Sequence, residues 1–231
     1  MAKKLIFLSN NHSGSLKLNF SVMVLVLGLI GYGFFQLGPK VFEQNGTSVI
    51  APKNKVNGGK AYSVLLPNNL TTRQHELLSF AYSVAKSDGY KNPEYLQGLI
   101  LQESGAGGAP GYRVAGDPVK KENQYYGVGQ IKIAAALDVL KNFPELWGFL
   151  QTRTMEELQA RLILDDHFNI RVASKYLLLM GVNKSASFAL TAYNKGIGGA
   201  QNIIDHANFE YTKGVVNYAS SSAVKQVNKK L

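Results

Sequence analysis

Hydrophobic positions along this chain fall into two regimes. Between Lys17 and Lys40 lie 22 uncharged residues, Leu18 to Pro39, which include the apolar run from Phe20 to Phe35. A helix of about 20 apolar residues crosses the hydrocarbon core of a bilayer, so the pattern predicts a transmembrane anchor over 18–39 behind a short tail, 1–17. The apolar region of a cleavable signal peptide runs to only about 7–15 residues before a small-x-small site. This run is longer, and Gly33 to Pro39 offers no good cleavage site. Tyr32, Phe34 and Phe35 suit the aromatic belt at a membrane interface. Residues 40–69 are rich in Gly, Asn, Pro and Lys and lack periodicity, which reads as a polar tether.

From Thr71 onward the spacing turns helical. Thr71 and Gln74 form a capping box ahead of Leu77, Leu78, Ala81, Val84 and Ala85, one apolar stripe that Asp88-Gly89 ends. Asn92 is expected to cap the next helix, with Pro93 in its first turn and Glu103 at its end. Further helices are predicted over 131–140, 154–164 (with a second capping box, Thr154 and Glu157), 166–180, 187–193 and 200–207. No run alternates with period two for long. The expectation for 70–231 is a mainly α domain of several short helices around one core, and the lone tryptophan, Trp147, is expected to pack there.

Composition narrows the chemistry. The chain of 231 residues has no cysteine, which removes disulfides, thiolate metal sites and a cysteine nucleophile. Its four histidines, His12, His75, His167 and His206, lack the spacing that puts two ligands on one helix face, so neither a metal nor another cofactor is expected. The net charge of +10 is uneven: residues 1–60 hold seven lysines against the single acid Glu43, whereas 61–231 hold eighteen basic and fourteen acidic side chains. Such an excess suits an anionic partner, whether phospholipid, nucleic acid or wall polymer. No recognition helix or aromatic RNA platform is present, which ranks nucleic acid last.

Three segments carry candidate chemistry. Glu103 closes the apolar run from Tyr95 to Gln102 and opens into the glycine-rich loop 104–110. A carboxyl at the buried end of an apolar helix has its charged form disfavoured, which is how a protein makes a general acid. In Tyr125-Tyr126-Gly127-Val128-Gly129-Gln130-Ile131, the glycines allow close backbone approach and Gln130 can both donate and accept, as sugar hydroxyls and amides require. The third, Ala192-Tyr193-Asn194-Lys195-Gly196, brings a ring and an amide to a helix end.

In this order and spacing, these segments resemble the catalytic domain of the lytic transglycosylases that share the goose-type lysozyme fold. That family reads Glu-Ser, then Gly-Leu-Met-Gln-Ile, then Ala-Tyr-Asn-x-Gly; here stand Glu103-Ser104, Gly127-Val128-Gly129-Gln130-Ile131 and Ala192-Tyr193-Asn194-Lys195-Gly196. Asn169-Ile170 and Tyr176-Leu177 resemble the helix between the last two motifs, and the likeness runs from about Thr71 to about Tyr218. Val128 and Gly129 replace the usual Leu and Met. Tyr211-Thr212-Lys213-Gly214-Val215 resembles a stretch that usually places a tyrosine where Gly214 falls, with Tyr211 and Tyr218 as the alternatives here.

The resemblance implies a lysozyme-like fold and, as partner, the glycan strands of bacterial peptidoglycan, cut between N-acetylmuramic acid and N-acetylglucosamine. Glu103 would be the catalytic acid and then base, with Ser104, Gly127, Gln130, Ile131, Tyr193 and Asn194 binding substrate or orienting the acid. Ordinary glycosidases use two carboxylates, whereas substrate-assisted ones need one. Asp117 lies nearby in sequence but outside the three motifs. Lysines before the span (Lys3, Lys4, Lys17) equal those after it (Lys40, Lys53, Lys55), so charge does not orient the anchor. A wall substrate does: the expected setting is the bacterial inner membrane with the domain on the periplasmic side, or a virion membrane for a phage-encoded chain. Two other readings stay open: a hydrolase of the same fold, and a wall-binding member of a secretion, conjugation or phage-entry assembly.

Overall fold

The structure, a computed structural model, describes residues 70–231. The predicted tail, span and tether lie outside the described residues, among which no helix is long and apolar enough to cross a membrane. The described part is mainly helical, as the periodicity predicts, with one two-stranded sheet.

Helix α1 (Thr72–Ser87) starts at the predicted capping box, in which Gln74 N–H donates to the Thr71 hydroxyl and Thr71 N–H to the Gln74 carboxamide oxygen. Its apolar stripe is buried as the spacing requires. Helix α2 (Glu94–Ser104) is the central element, buried on every side from Leu96 to Gln102. Burial of side chains such as Leu99 and Ile100 stabilises by roughly 2 kcal/mol each. Asn92 does not cap it. Pro93 occupies the cap position in helical conformation without a side-chain cap, and the Asn92 carbonyl accepts from Tyr95 N–H within a turn.

After the glycine-rich loop, β1 (Val114–Gly116) and β2 (Gln124–Tyr126) pair antiparallel, a hairpin too short for its alternation to register in the sequence. Helix α3 (Ile133–Asn142) begins two residues later than predicted, because Ile131 exchanges two backbone hydrogen bonds with Tyr126, both 3.0 Å. A 3₁₀ turn (Pro144–Phe149) leaves Trp147 half-buried against the core. Helices α4 (Met155–Leu164) and α5 (Asp166–Leu179) follow, capped by the Thr154 hydroxyl and the Asp165 carboxylate.

The second capping box is only half formed. Thr154 accepts from Glu157 N–H, but the Glu157 carboxylate turns to the backbone N–H groups of Gln151, Thr152 and Arg153. Helix α6 (Ala186–Gln201) is longer than predicted and breaks at Gly196, whose φ of 72° and ψ of 163° leave the helical region; residues 202–209 form turns where a helix over 200–207 was expected.

Two helices escape the periodicity reading: α7 (Glu210–Ala219) and α8 (Ser222–Asn228). Helix α7 makes the most extensive helix pairing in the domain, against α2. Its backbone lies directly on Gly98. A Cβ there would sit 2.3 Å from the Val215 carbonyl oxygen and 2.9 Å from the Ala219 amide nitrogen, so only glycine permits this crossing.

Candidate active site

The site begins where α2 stops. Gly105 takes the left-handed conformation (φ 58°, ψ 36°), a glycine helix stop that turns the chain into the loop. Ser104 is fully buried and committed to that turn: its hydroxyl donates to the Ile100 carbonyl at 3.1 Å and accepts from Gly107 N–H at 3.0 Å. It holds the loop and does not face a ligand. Gln74 braces the same loop from α1 by donating to the Gly105 carbonyl at 2.8 Å.

Glu103 is the residue this arrangement presents. The residue is half-buried, while its neighbours Gln102 and Ser104 are buried. Burial is the larger influence on it and pushes the pKa up from 4.5 to about 7; the opposing influence is a hydrogen bond from the Tyr211 hydroxyl to Oε1. The end of α2 is also where the helix dipole disfavours an anion. No other carboxylate contributes to the shift.

Tyr211, one of the two tyrosines named at the C-terminal stretch, meets Glu103. It sits in the first turn of α7 and reaches Glu103 across 108 residues of chain because α7 crosses at Gly98. Gly214 leaves no room for a side chain. A Cβ there would lie 2.3 Å from Gln102 Oε1, so a large side chain would displace Gln102. The sequence signal was the spacing Tyr211, Val215, Ala219, all buried; Gly214 and the β-branched pair Val215-Val216 masked it.

The loop 127–131 stands beside this pair. Tyr193, near the end of the first part of α6, donates from its hydroxyl to the Gly129 carbonyl at 2.7 Å. Burial and the charge of Glu103 raise the Tyr193 phenol well above its ordinary value, and the same two causes raise Tyr211. Asn169 is the clamp that the sequence reading did not assign: its oxygen accepts from Gly129 N–H at 2.7 Å, and its amide donates to the Tyr126 and Leu162 carbonyls at 2.7 and 3.0 Å. Gly127 (φ 68°) has no room for a side chain, since a Cβ would meet Asn169 Nδ2 and the Leu162 oxygen, each at 2.3 Å.

The remaining motif residues divide. Gln130, at φ 51°, donates from Nε2 to the Tyr112 and Gly127 carbonyls at 2.5 and 2.8 Å, which leaves its oxygen for a ligand. Ile131 is buried in the core and shapes the loop from below. Asn194 is exposed at the end of the first part of α6, just ahead of the Gly196 break. Asp117 caps the hairpin turn by accepting from Val119 N–H at 2.9 Å.

A separate open depression of about 730 Å³ is lined by Arg73, Leu77, Arg161, Asp165, Asp166 and His167 among others, and Glu103 is not part of it. Its arginines are paired with its aspartates, Arg73 with Asp166 and Arg161 with Asp165, and Asp166 also pairs with Arg113 outside the depression. Among the described residues, no group of three or more His, Asp or Glu side chains is placed to hold a metal. No family model, curated protein or solved structure matches this chain.

Proposed function

We propose that this protein is a membrane-anchored lytic transglycosylase that cleaves the β-1,4 bond between N-acetylmuramic acid and N-acetylglucosamine in peptidoglycan and leaves a 1,6-anhydro end. One observation carries the reading: a single, partly accessible glutamate with its pKa raised to about 7 and no second carboxylate acting on it. A residue that must serve as acid and then as base works best when its pKa is near the working pH. The ordered motifs support the same assignment, with Tyr193 and the loop 127–131 next to the acid.

The steps balance without water. Protonated Glu103 gives its proton to the bridging oxygen as the C1–O bond breaks, while the muramoyl N-acetyl oxygen stabilises the charge at C1. The Glu103 carboxylate then takes the proton from the C6 hydroxyl, whose oxygen closes on C1 and displaces the N-acetyl oxygen. Tyr211 on Oε1 keeps one carboxyl oxygen occupied, so the proton is exchanged through the other, and it steadies the carboxylate between the two halves.

The same reading orients the chain: residues 18–39 as a single inner-membrane span, 1–17 inside, and 70–231 outside within reach of the wall. Purified full-length protein is expected to release anhydro-muropeptides from sacculi, and Glu103→Gln none. Reducing ends, one water heavier by mass spectrometry, would assign a hydrolase instead; binding without any product would assign a wall-binding protein. Protease treatment of spheroplasts is expected to remove the C-terminal domain, and complete protection would reverse the topology.

A further inference from the structure

Beside the loop 127–131 lies a lysine that no role above absorbs. Lys132 follows Ile131 directly and is half-buried, with its ammonium 4.9 Å from the centroid of the Tyr125 ring. The loop closes on itself through the Tyr126–Ile131 backbone pair, which brings residues 125 and 132 together at its base. On the neighbouring strand Gly116 is required by the hairpin backbone, where a Cβ would lie 2.1 Å from the Asn123 carbonyl oxygen and also 3.2 Å from Tyr125 Cδ2. A ring in this position attracts the ammonium and limits where it can swing.

Lys132 has no counter-ion among the described residues. Among the described residues its ammonium forms no ion pair with any carboxylate; those that do are Arg73, Arg113, Arg161 and Lys175. A cation held against a ring, half desolvated and unneutralised at the edge of a sugar-binding loop, is suited to a carboxylate delivered by the ligand. N-acetylglucosamine has none. The muramoyl residue carries one on its 3-O-substituent: the lactyl carboxylate where that arm is bare, or those of the attached peptide.

We propose that Lys132, steadied by Tyr125, is a specificity subsite for a carboxylate on the muramoyl 3-O-substituent. The inference rests on the transglycosylase reading and adds to it the part of the substrate that the acid does not touch. Its test compares initial rates of anhydro-end release by the full-length protein on three polymers: native sacculi, sacculi whose carboxyls are capped as methylamides by carbodiimide, and glycan stripped of peptide by an amidase.

The wild type is expected to cut native sacculi about tenfold faster than capped ones, the size of one partly screened charge-assisted contact. Lys132→Glu is expected to abolish that preference by lowering the native rate toward the capped rate, and Lys132→Arg to keep it. Stripped glycan offers only the lactyl carboxylate, which the peptide masks as an amide in native sacculi: slow cleavage assigns the native preference to the peptide's carboxylates, and cleavage as fast as on native sacculi shows that the bared lactyl group fills the same subsite. Equal wild-type rates on native and capped sacculi, or a preference that survives Lys132→Glu, overturn this proposal alone. Absence of anhydro ends from all three polymers with the wild type overturns the activity reading, and this one with it.

Discussion

Glu103 and Glu157 are the same residue at opposite ends of helices, and their surroundings drive them apart. Glu157 lies in the first turn of α4, where its carboxylate accepts from three backbone N–H groups and the Thr152 hydroxyl; these bonds hold its pKa down to about 2. Glu103 lies in the last turn of α2, enclosed by α7 and the loop, with the Tyr211 hydroxyl as its hydrogen-bond partner and a pKa of about 7. One carboxyl is saturated with donors and serves the fold. The other is left under-solvated, and the surplus free energy of its charged form is the property that the proposed acid role requires.

The sharpest way to break this contrast is Glu103→Gln. Activity is expected to fall by at least about 10³-fold, in the range seen when a principal acid or nucleophile is lost. Stability is expected to move the other way. Because the folded pKa is raised, the native state binds the extra proton between about pH 4.5 and 7, so stability is full below that window and declines as pH rises through it. Glu103→Gln is expected to remove that decline and to be more stable than wild type at pH 8, by up to about 3 kcal/mol. Urea unfolding at pH 4 and pH 8 checks it; a variant less stable at pH 8 would show that the carboxyl is not strained.

Next in size is Asn169→Ala, which leaves Gly129 N–H in the loop 127–131 without its acceptor and removes one donor from each of the Tyr126 and Leu162 carbonyls. A loss of about 3 kcal/mol is expected in chemical denaturation. Gly98→Ala places a methyl against the α7 backbone and is expected to cost about 2 kcal/mol. It should also cut activity in the protein that remains folded, because α7 carries Tyr211. Wild-type activity per folded molecule would disconnect the helix crossing from the site.

Tyr211→Phe is a smaller and more selective change. It removes the bond that lowers the Glu103 pKa, so the alkaline limb of the pH–rate profile is expected to move to higher pH while the rate at its optimum falls about tenfold. An unshifted limb would mean that the bond does not tune the acid. Smallest of all is Glu157→Gln, expected to leave activity unchanged. Its folded pKa is depressed, so the stability it contributes is present above about pH 4.5 and is lost as pH falls through about 2. The variant is expected to be less stable than wild type at pH 7 and equal to it below pH 2 in thermal melts.

Much of the fold was legible because its causes are short-ranged. The Thr71–Gln74 box, the stripe on α1 and the Thr154 cap of α4 act within one or two turns, and the sequence displays them side by side. The failures share a different origin. Asn92 has a capping side chain, yet Pro93 takes that place; Ile131 has helical neighbours, yet a backbone pair with Tyr126 claims it. Tyr211 and Tyr218 were equivalent on paper until the α2–α7 crossing brought Tyr211 to Glu103. Within the site, Glu103 was readable as an acid at the end of an apolar helix. Ser104 and Gln130 were readable as polar residues of the motifs, but the backbone groups that engage them were not.

The chain by itself therefore determines a mainly helical domain, most of its helix starts, and a lone carboxyl placed where an apolar helix meets glycines. Those are properties of neighbours in sequence. Which tyrosine meets the carboxyl, how deeply it is desolvated, and which amide pins the glycine loop were decided only by packing. Desolvation and hydrogen bonding depend on surfaces supplied by segments as far as 108 residues away, and only the folded chain assembles those surfaces.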